Sequence, residues 1–155
     1  MKQKKILILG LGNILMGDEG IGVKAIAYLK DKPLPPNVEL LDGGTGGFHL
    51  LSLFEDYPTM IMIDATISTT LAGEVKLIRP KFASDFPRSL TSHDIGLRDL
   101  MQSAQLIGKL PDMHLITISI FDFRQVHMNL TPEAEQSLPK IYHMVLEILK
   151  ELETV

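Results

Sequence analysis

Ile6-Leu7-Ile8-Leu9-Gly10-Leu11-Gly12-Asn13 is the stretch whose reading decides the fold. Four consecutive apolar residues running into Gly-x-Gly describe a short strand buried on both faces, as in a parallel sheet covered by helices. A helical pattern follows, with Ile21, Ala25, Tyr28 and Leu29 on one face and Asp18 placed to cap it. Pro33-Leu34-Pro35-Pro36 ends that helix. Val38 to Leu41 is a second strand leading to Asp42-Gly43-Gly44-Thr45, and a helix carrying Leu50, Leu51 and Phe54 comes next. Met60-Ile61-Met62-Ile63 is a third strand, apolar on both faces and ending at Asp64.

The second half continues the alternation. Glu74 to Arg79 reads as a half-buried strand near a sheet edge, with Val75 and Leu77 inward and Lys76 toward water. Thr91-Ser92-His93-Asp94 has capping-box spacing ahead of a helical stripe of Leu97, Leu100, Met101 and Ala104. Leu115 to Ile120 is the last strand. Thr131-Pro132-Glu133 opens a final helix that buries Leu138, Ile141, Val145, Ile148 and Leu152, with a kink expected at Pro139. Strands alternating with helices predict a three-layer α/β sandwich. The strand around Val75 follows its predecessor with no helix between, so the sheet is expected to be mixed.

Length and composition narrow the function. With 155 residues the chain is read as one domain, 1–155. It has no cysteine, which excludes thiolate zinc sites, iron–sulfur clusters, thiol proteases and a disulfide framework. A net charge of −4 leaves no basic stripe for nucleic acid. Lys2, Lys4 and Lys5 before the apolar run imitate a secretory signal. However, Asn13 interrupts the run, and Gly17-Asp18-Glu19 stands where a cleavage site belongs. No apolar stretch reaches the ~18 residues of a membrane span. The expectation is a cytoplasmic protein with no membrane partner.

Three strands end in glycine or acid: Gly10-Leu11-Gly12-Asn13, Asp42-Gly43-Gly44 and Asp64. In open α/β sheets ligands sit at the carboxyl ends of strands. A dinucleotide site is one reading, but Leu15 stands where the third glycine belongs. Asp18 and Glu19 also put negative charge where a pyrophosphate would bind. A metal site is another reading. Glu19 opens the first helix, Asp64 ends the third strand, and His93 opens a later helix whose N-terminus favours a neutral imidazole. Two oxygens and one nitrogen suit nickel, zinc or manganese with positions left open. The plain alternative makes Asp18 and Glu19 solvated first-turn acids, Asp64 a turn cap and His93 a surface residue. His49 and His143 are read as packing residues on helices, while His114 and His127 have no partner at ligand spacing. No Gly-x-Ser-x-Gly, Ser-x-x-Lys or His-Glu-x-x-His motif is present.

Taken together, GLGNILMGDEGIG at 10–22, DGGTGG at 42–47, MIDA at 62–65, SHDIGL at 92–97 and LTP at 130–132 resemble the nickel-hydrogenase maturation endopeptidases. The resemblance implies an α/β/α fold with a five-stranded, mostly parallel mixed sheet. It also implies removal of a C-terminal extension from the nickel-loaded precursor of a hydrogenase large subunit by a monomeric enzyme. Carried across, Glu19, Asp64 and His93 would contact nickel contributed by the precursor, a site that a surrogate divalent metal could occupy in vitro. Asp42 would be a further site carboxylate: either the metal polarises the scissile carbonyl, or Asp42 or Glu19 activates water as the catalytic carboxylate, in a substrate cleft lined by Asn13, Gly43, Gly44 and Thr45. Other readings are a non-catalytic nickel or precursor chaperone on the same fold, and a dinucleotide-binding protein. Asp122-Phe123 and Met128-Asn129 stand where the family has an acid–proline pair and a glycine.

Overall fold

A computed structural model describes residues 4–46, 50–87, 94–108, 110–121 and 129–153. The elements are β1 (Ile6–Gly10), α1 (Ile21–Lys30), β2 (Val38–Asp42), α2 (Leu51–Asp56), β3 (Thr59–Ile67), β4 (Val75–Ile78), α3 (Asp94–Ile107), β5 (Asp112–Ile120) and α4 (Pro132–Glu153). They build one five-stranded sheet in the order β2-β1-β3-β5-β4. The first four strands in that order are parallel, and β4 joins β5 antiparallel at the edge, so the sheet is mixed as expected.

Strand alternation divides the core into two. Ile6, Ile8, Ile61, Ile63, Ile116 and Ile118 face α1 and α4, where Ile26, Leu29, Ile141, Val145 and Ile148 close over them. Leu7, Leu9, Leu11, Met60, Met62 and Leu115 face the opposite layer with Phe54, Leu100, Met101 and Ala104 from α2 and α3. The continuous apolar runs of β1 and β3 follow from this, because both faces of these central strands lie under helices.

Some boundaries differ from expectation, and each difference has a cause. β3 does not end at Asp64 but runs on to Ile67, because β5 continues beside it as far as Ile120. Leu77 is 39% exposed rather than inward, since it sits on the outer strand, where the helical layer thins. Asp18 does not cap α1, whose N-cap is Gly20 with no side-chain bond. His143 is exposed on α4 beside Tyr142 rather than packed into the core. The capping box at 91–93, His49, His127 and the departures at Asp122, Phe123 and Met128 lie outside the described residues. Among the described residues no helix is long and apolar enough to cross a membrane.

α1 approaches the sheet backbone to backbone. A Cβ on Gly22 would lie 2.1 Å from the Leu11 carbonyl oxygen and 2.3 Å from that of Ile63. A Cβ on Gly10 would lie 2.2 Å from the Gly22 carbonyl oxygen. Replacing Gly22 with Ala gains about 1 kcal/mol of helix propensity. It also forces two backbones apart, for which overpacking costs of about 1–3 kcal/mol or more apply. Gly22→Ala should therefore lower the unfolding free energy in a urea titration, and an equal or raised midpoint would contradict this packing.

A buried histidine sets a pH dependence. His114 on β5 is 1% exposed; its Nε2 lies 3.7 Å from an Asp112 oxygen, and among the described residues neither ring nitrogen has a hydrogen-bond partner. Burial, with the Arg79 charge adding to it, holds its pKa below the usual histidine value, against the opposing pull of Asp112 and Glu151. The unfolded chain therefore takes up this proton first as pH falls. Stability is full above about pH 6.5 and is lost as pH drops toward the depressed folded value, by at most about 1.4 kcal/mol per pH unit. Unfolding titrations of wild type and His114→Leu between pH 7.5 and 5 should show a shallower acid loss in the variant, and parallel curves would refute the assignment.

Candidate active site

Three strand ends are laced together at the carboxyl edge of the sheet. The Gly43 N–H donates to the Gly10 carbonyl (2.8 Å), the Gly12 N–H to that of Gly44 (2.7 Å), and the Leu11 N–H to that of Ile63 (2.9 Å). From β1 the chain turns outward through α1 to β2, then returns past β1 through α2 to β3. The strand order reverses between β1 and β3, which is where open α/β sheets form their ligand crevice.

Asp64 stands in that crevice. Gly10 pairs with Ile63 at the last register position of β1, so Asp64 is the first residue of β3 beyond its neighbour, and it faces Thr117 across β5. It shares the strand face of Met60 and Met62, the face covered by α2 and α3. Asp64 is fully buried, and its Oδ1 accepts the Ala65 N–H at 2.8 Å. A carboxylate held away from water in this way is electrostatically suited to a cation.

Glu19 reaches the same edge from the 3-10 turn Gly17–Gly20, which packs against β3. Its backbone lies directly on the end of β1, and a Cβ on Gly12 would come within 2.3 Å of the Glu19 carbonyl oxygen. The space under this glycine loop is therefore filled by the chain's own backbone, and a dinucleotide pyrophosphate finds no cradle there. Glu19 itself is half-buried, whereas its neighbour Asp18 is buried.

Asp42 occupies a different environment. It is exposed at the end of β2, and its Oδ1 accepts the Gly44 N–H at 2.8 Å. β1 stands between it and Asp64, so the two backbones are two strand spacings apart, about 10 Å. The two glycines after Asp42 differ as well. A Cβ on Gly43 would press on Leu9 and Leu11 at 2.8 Å, so its missing side chain serves core packing. Gly44 has a φ of +57° and open space where a Cβ would be, which makes it the glycine of this loop that leaves room above the edge. Thr45 beside it is exposed. Asn13 spends its Oδ1 on the Leu15 N–H (3.0 Å), holding its own loop in shape.

His93 lies outside the described residues; the next residue, Asp94, opens α3 on the layer that covers Asp64's face. Among the described residues no three His, Asp or Glu side chains are grouped to hold a metal. Sequence reasoning missed the partner of Asp18, which is Thr131, 113 positions away. It identified Thr131 as a helix start but had no signal for a contact at that separation.

Comparison with known proteins identifies the family and the fold. A family described as hydrogenase maturation protease matches residues 23–148. The hydrogenase 2 maturation protease of Escherichia coli is 33% identical over 95% of this chain and 92% of its own length. The hydrogenase expression/formation protein HupD of Bradyrhizobium diazoefficiens is 31% identical over 97% of this chain and 80% of its own. Among solved structures, the hydrogenase maturating endopeptidase HybD from E. coli superposes with a TM-score of 0.82 at 32% identity, covering 95% of this chain and 93% of that one. The maturation protease HybD from Thermococcus kodakarensis gives 0.73 at 26% identity, covering 93% and 98%. With the sheet order, the acidic carboxyl edge and these likenesses in agreement, the chain belongs to the hydrogenase maturation protease family and is a hydrolase of the endopeptidase type.

Proposed function

We propose that this protein acts in the cytoplasm as a monomer and removes a C-terminal extension from the precursor of a nickel–iron hydrogenase large subunit. The observation that carries the reading is the fully buried Asp64 at the β1–β3 crevice, with the Glu19 turn packed on the same strand. Glu19, Asp64 and His93 contact nickel that arrives already bound to the precursor. Two carboxylates and an imidazole are a partial ligand set, and with no cysteine in the chain the soft donors must come from the substrate. Nickel is part of the substrate here, and a surrogate divalent ion could occupy the same groups in vitro. A precursor without nickel offers these residues nothing to bind, so metal contact is a test of maturity.

Hydrolysis falls to the exposed carboxylate. Asp42 is open to solvent and oriented by the Gly44 N–H, so it can accept a proton from a water attacking the scissile carbonyl. The water oxygen bonds to the carbonyl carbon, the peptide C–N bond breaks, and the proton passes to the departing amine. Glu19, half-buried on its turn, has access to the same edge and is the second candidate for this proton transfer. The peptide would cross the open side of Gly44, flanked by Asn13 and Thr45.

Two substrates test this directly: the nickel-loaded precursor and the same precursor stripped of nickel, with product followed by mass spectrometry. The loaded form alone should be cut, and equal cutting of both would defeat nickel recognition. Asp42→Asn should lower kcat by about a hundredfold or more with KM retained. Asp64→Asn should act chiefly by removing the preference for the loaded form. An Asp42→Asn enzyme with unchanged kcat would transfer the proton role to Glu19.

A further inference from the structure

The LTP motif and the acid before Glu19 meet in space. Asp18 is 7% exposed, and both its oxygens are taken by one residue: Oδ1 accepts the Thr131 N–H at 2.8 Å and Oδ2 the Thr131 hydroxyl at 2.7 Å. The same hydroxyl accepts the Ala134 N–H (3.3 Å), and the Thr131 carbonyl accepts the Glu135 N–H (2.9 Å). Thr131 is thus the N-cap of α4 and the anchor of the Gly17–Gly20 turn at once. The first turn of α4 is also closely approached by Gly73, where a Cβ would lie 2.9 Å from the Glu133 carbonyl oxygen.

We propose that the Asp18–Thr131 pair is a positioning clamp that sets the Glu19 carboxylate at the crevice, using the first turn of α4 as its fixed point. The inference rests on the reading of Glu19 as a nickel contact. A 3-10 turn of four residues has few internal bonds, and the Glu19 N–H itself bonds only weakly, at 3.3 Å to the Met16 carbonyl. A side chain on so short a turn is steadied further when the turn is tied to something rigid. The 22-residue α4, buried along Ile141, Val145 and Ile148, is that support. Two charge-assisted bonds to one residue fix the direction of Asp18 as well as its distance. Glu19 is the next residue on the same turn, so its backbone is fixed together with that of Asp18. Asp18 and Thr131 act through Glu19 and do not themselves touch substrate.

A general loss of stability must be separated from a loss of aim. Thr131→Val keeps the backbone bond to Asp18 and removes both hydroxyl bonds, the one to Asp18 and the N-cap bond from Ala134; Asp18→Asn is a second route that alters both Asp18 contacts and leaves the cap in place. The readout is the nickel preference, defined as the Kd for stripped precursor divided by the Kd for nickel-loaded precursor. Loss of one charge-assisted bond should cut that ratio by about tenfold in Thr131→Val, with Thr131→Ser restoring it. In a Glu19→Gln background the same Thr131→Val change should leave the ratio where Glu19→Gln put it, which is the non-additivity expected of coupled residues. A merely structural role weakens both Kd values together and leaves the ratio alone, and that result overturns the clamp. So does an equal fall in the ratio in both backgrounds. A ratio of one in the wild-type enzyme instead defeats nickel recognition itself, so the two failures are distinguishable.

Discussion

The contact on which the rest of the structure depends is the seating of one backbone on another at the end of β1. Gly22 of α1 lies against the Leu11 and Ile63 carbonyls with no room for a Cβ, and Gly10 lies against Gly22. This approach puts α1 lower on the sheet than side-chain packing would allow. The Gly17–Gly20 turn, joined directly to α1, is therefore held down on Gly12 and against β3. One steric condition thus brings an acidic turn to a crevice that strand order had already opened. It also explains Gly10, Gly12, Gly20 and Gly22 without any phosphate. They accommodate the chain's own backbone, whereas in a dinucleotide fold such glycines accommodate a ligand.

Much of the architecture was legible because it rests on burial. The runs Ile6–Leu9 and Met60–Ile63 are apolar throughout, since helices cover both faces, and that pattern needs no knowledge of neighbours. What was not legible depends on residues far apart in sequence. Asp64 looked like the end of a strand because the apolar run stops there, but β5 continues the ladder past it. Asp18 looked like a helix cap because a carboxylate before a helix usually is one. Its partner lies 113 residues on, and local pattern carries no record of such a pair. Leu77 alternates like an inward residue, yet exposure at an outer strand depends on how far the helical layer extends. The carboxylates of the candidate site were found by their positions at strand ends. Their difference in environment, Asp64 buried and Asp42 exposed, was not visible until the sheet order was known.

That difference gives the proposed chemistry its division of labour. A fully buried carboxylate interacts with a cation through a medium of low effective dielectric, where charge pairing is strong. Water reaches such a group poorly, so it is better placed to hold a cation than to meet an attacking water. An exposed carboxylate has the opposite balance: weak attraction for a distant charge and ready exchange of protons with water. The backbones of the two are about 10 Å apart across β1, a span of roughly three extended residues, and the strand register sets their side chains on opposite faces of the sheet. A substrate that placed its metal at Asp64 would therefore present to Asp42 not the metal-binding residue itself but a peptide bond a few residues along. On this reading, the spacing of the strands sets how far from the nickel the cut can fall.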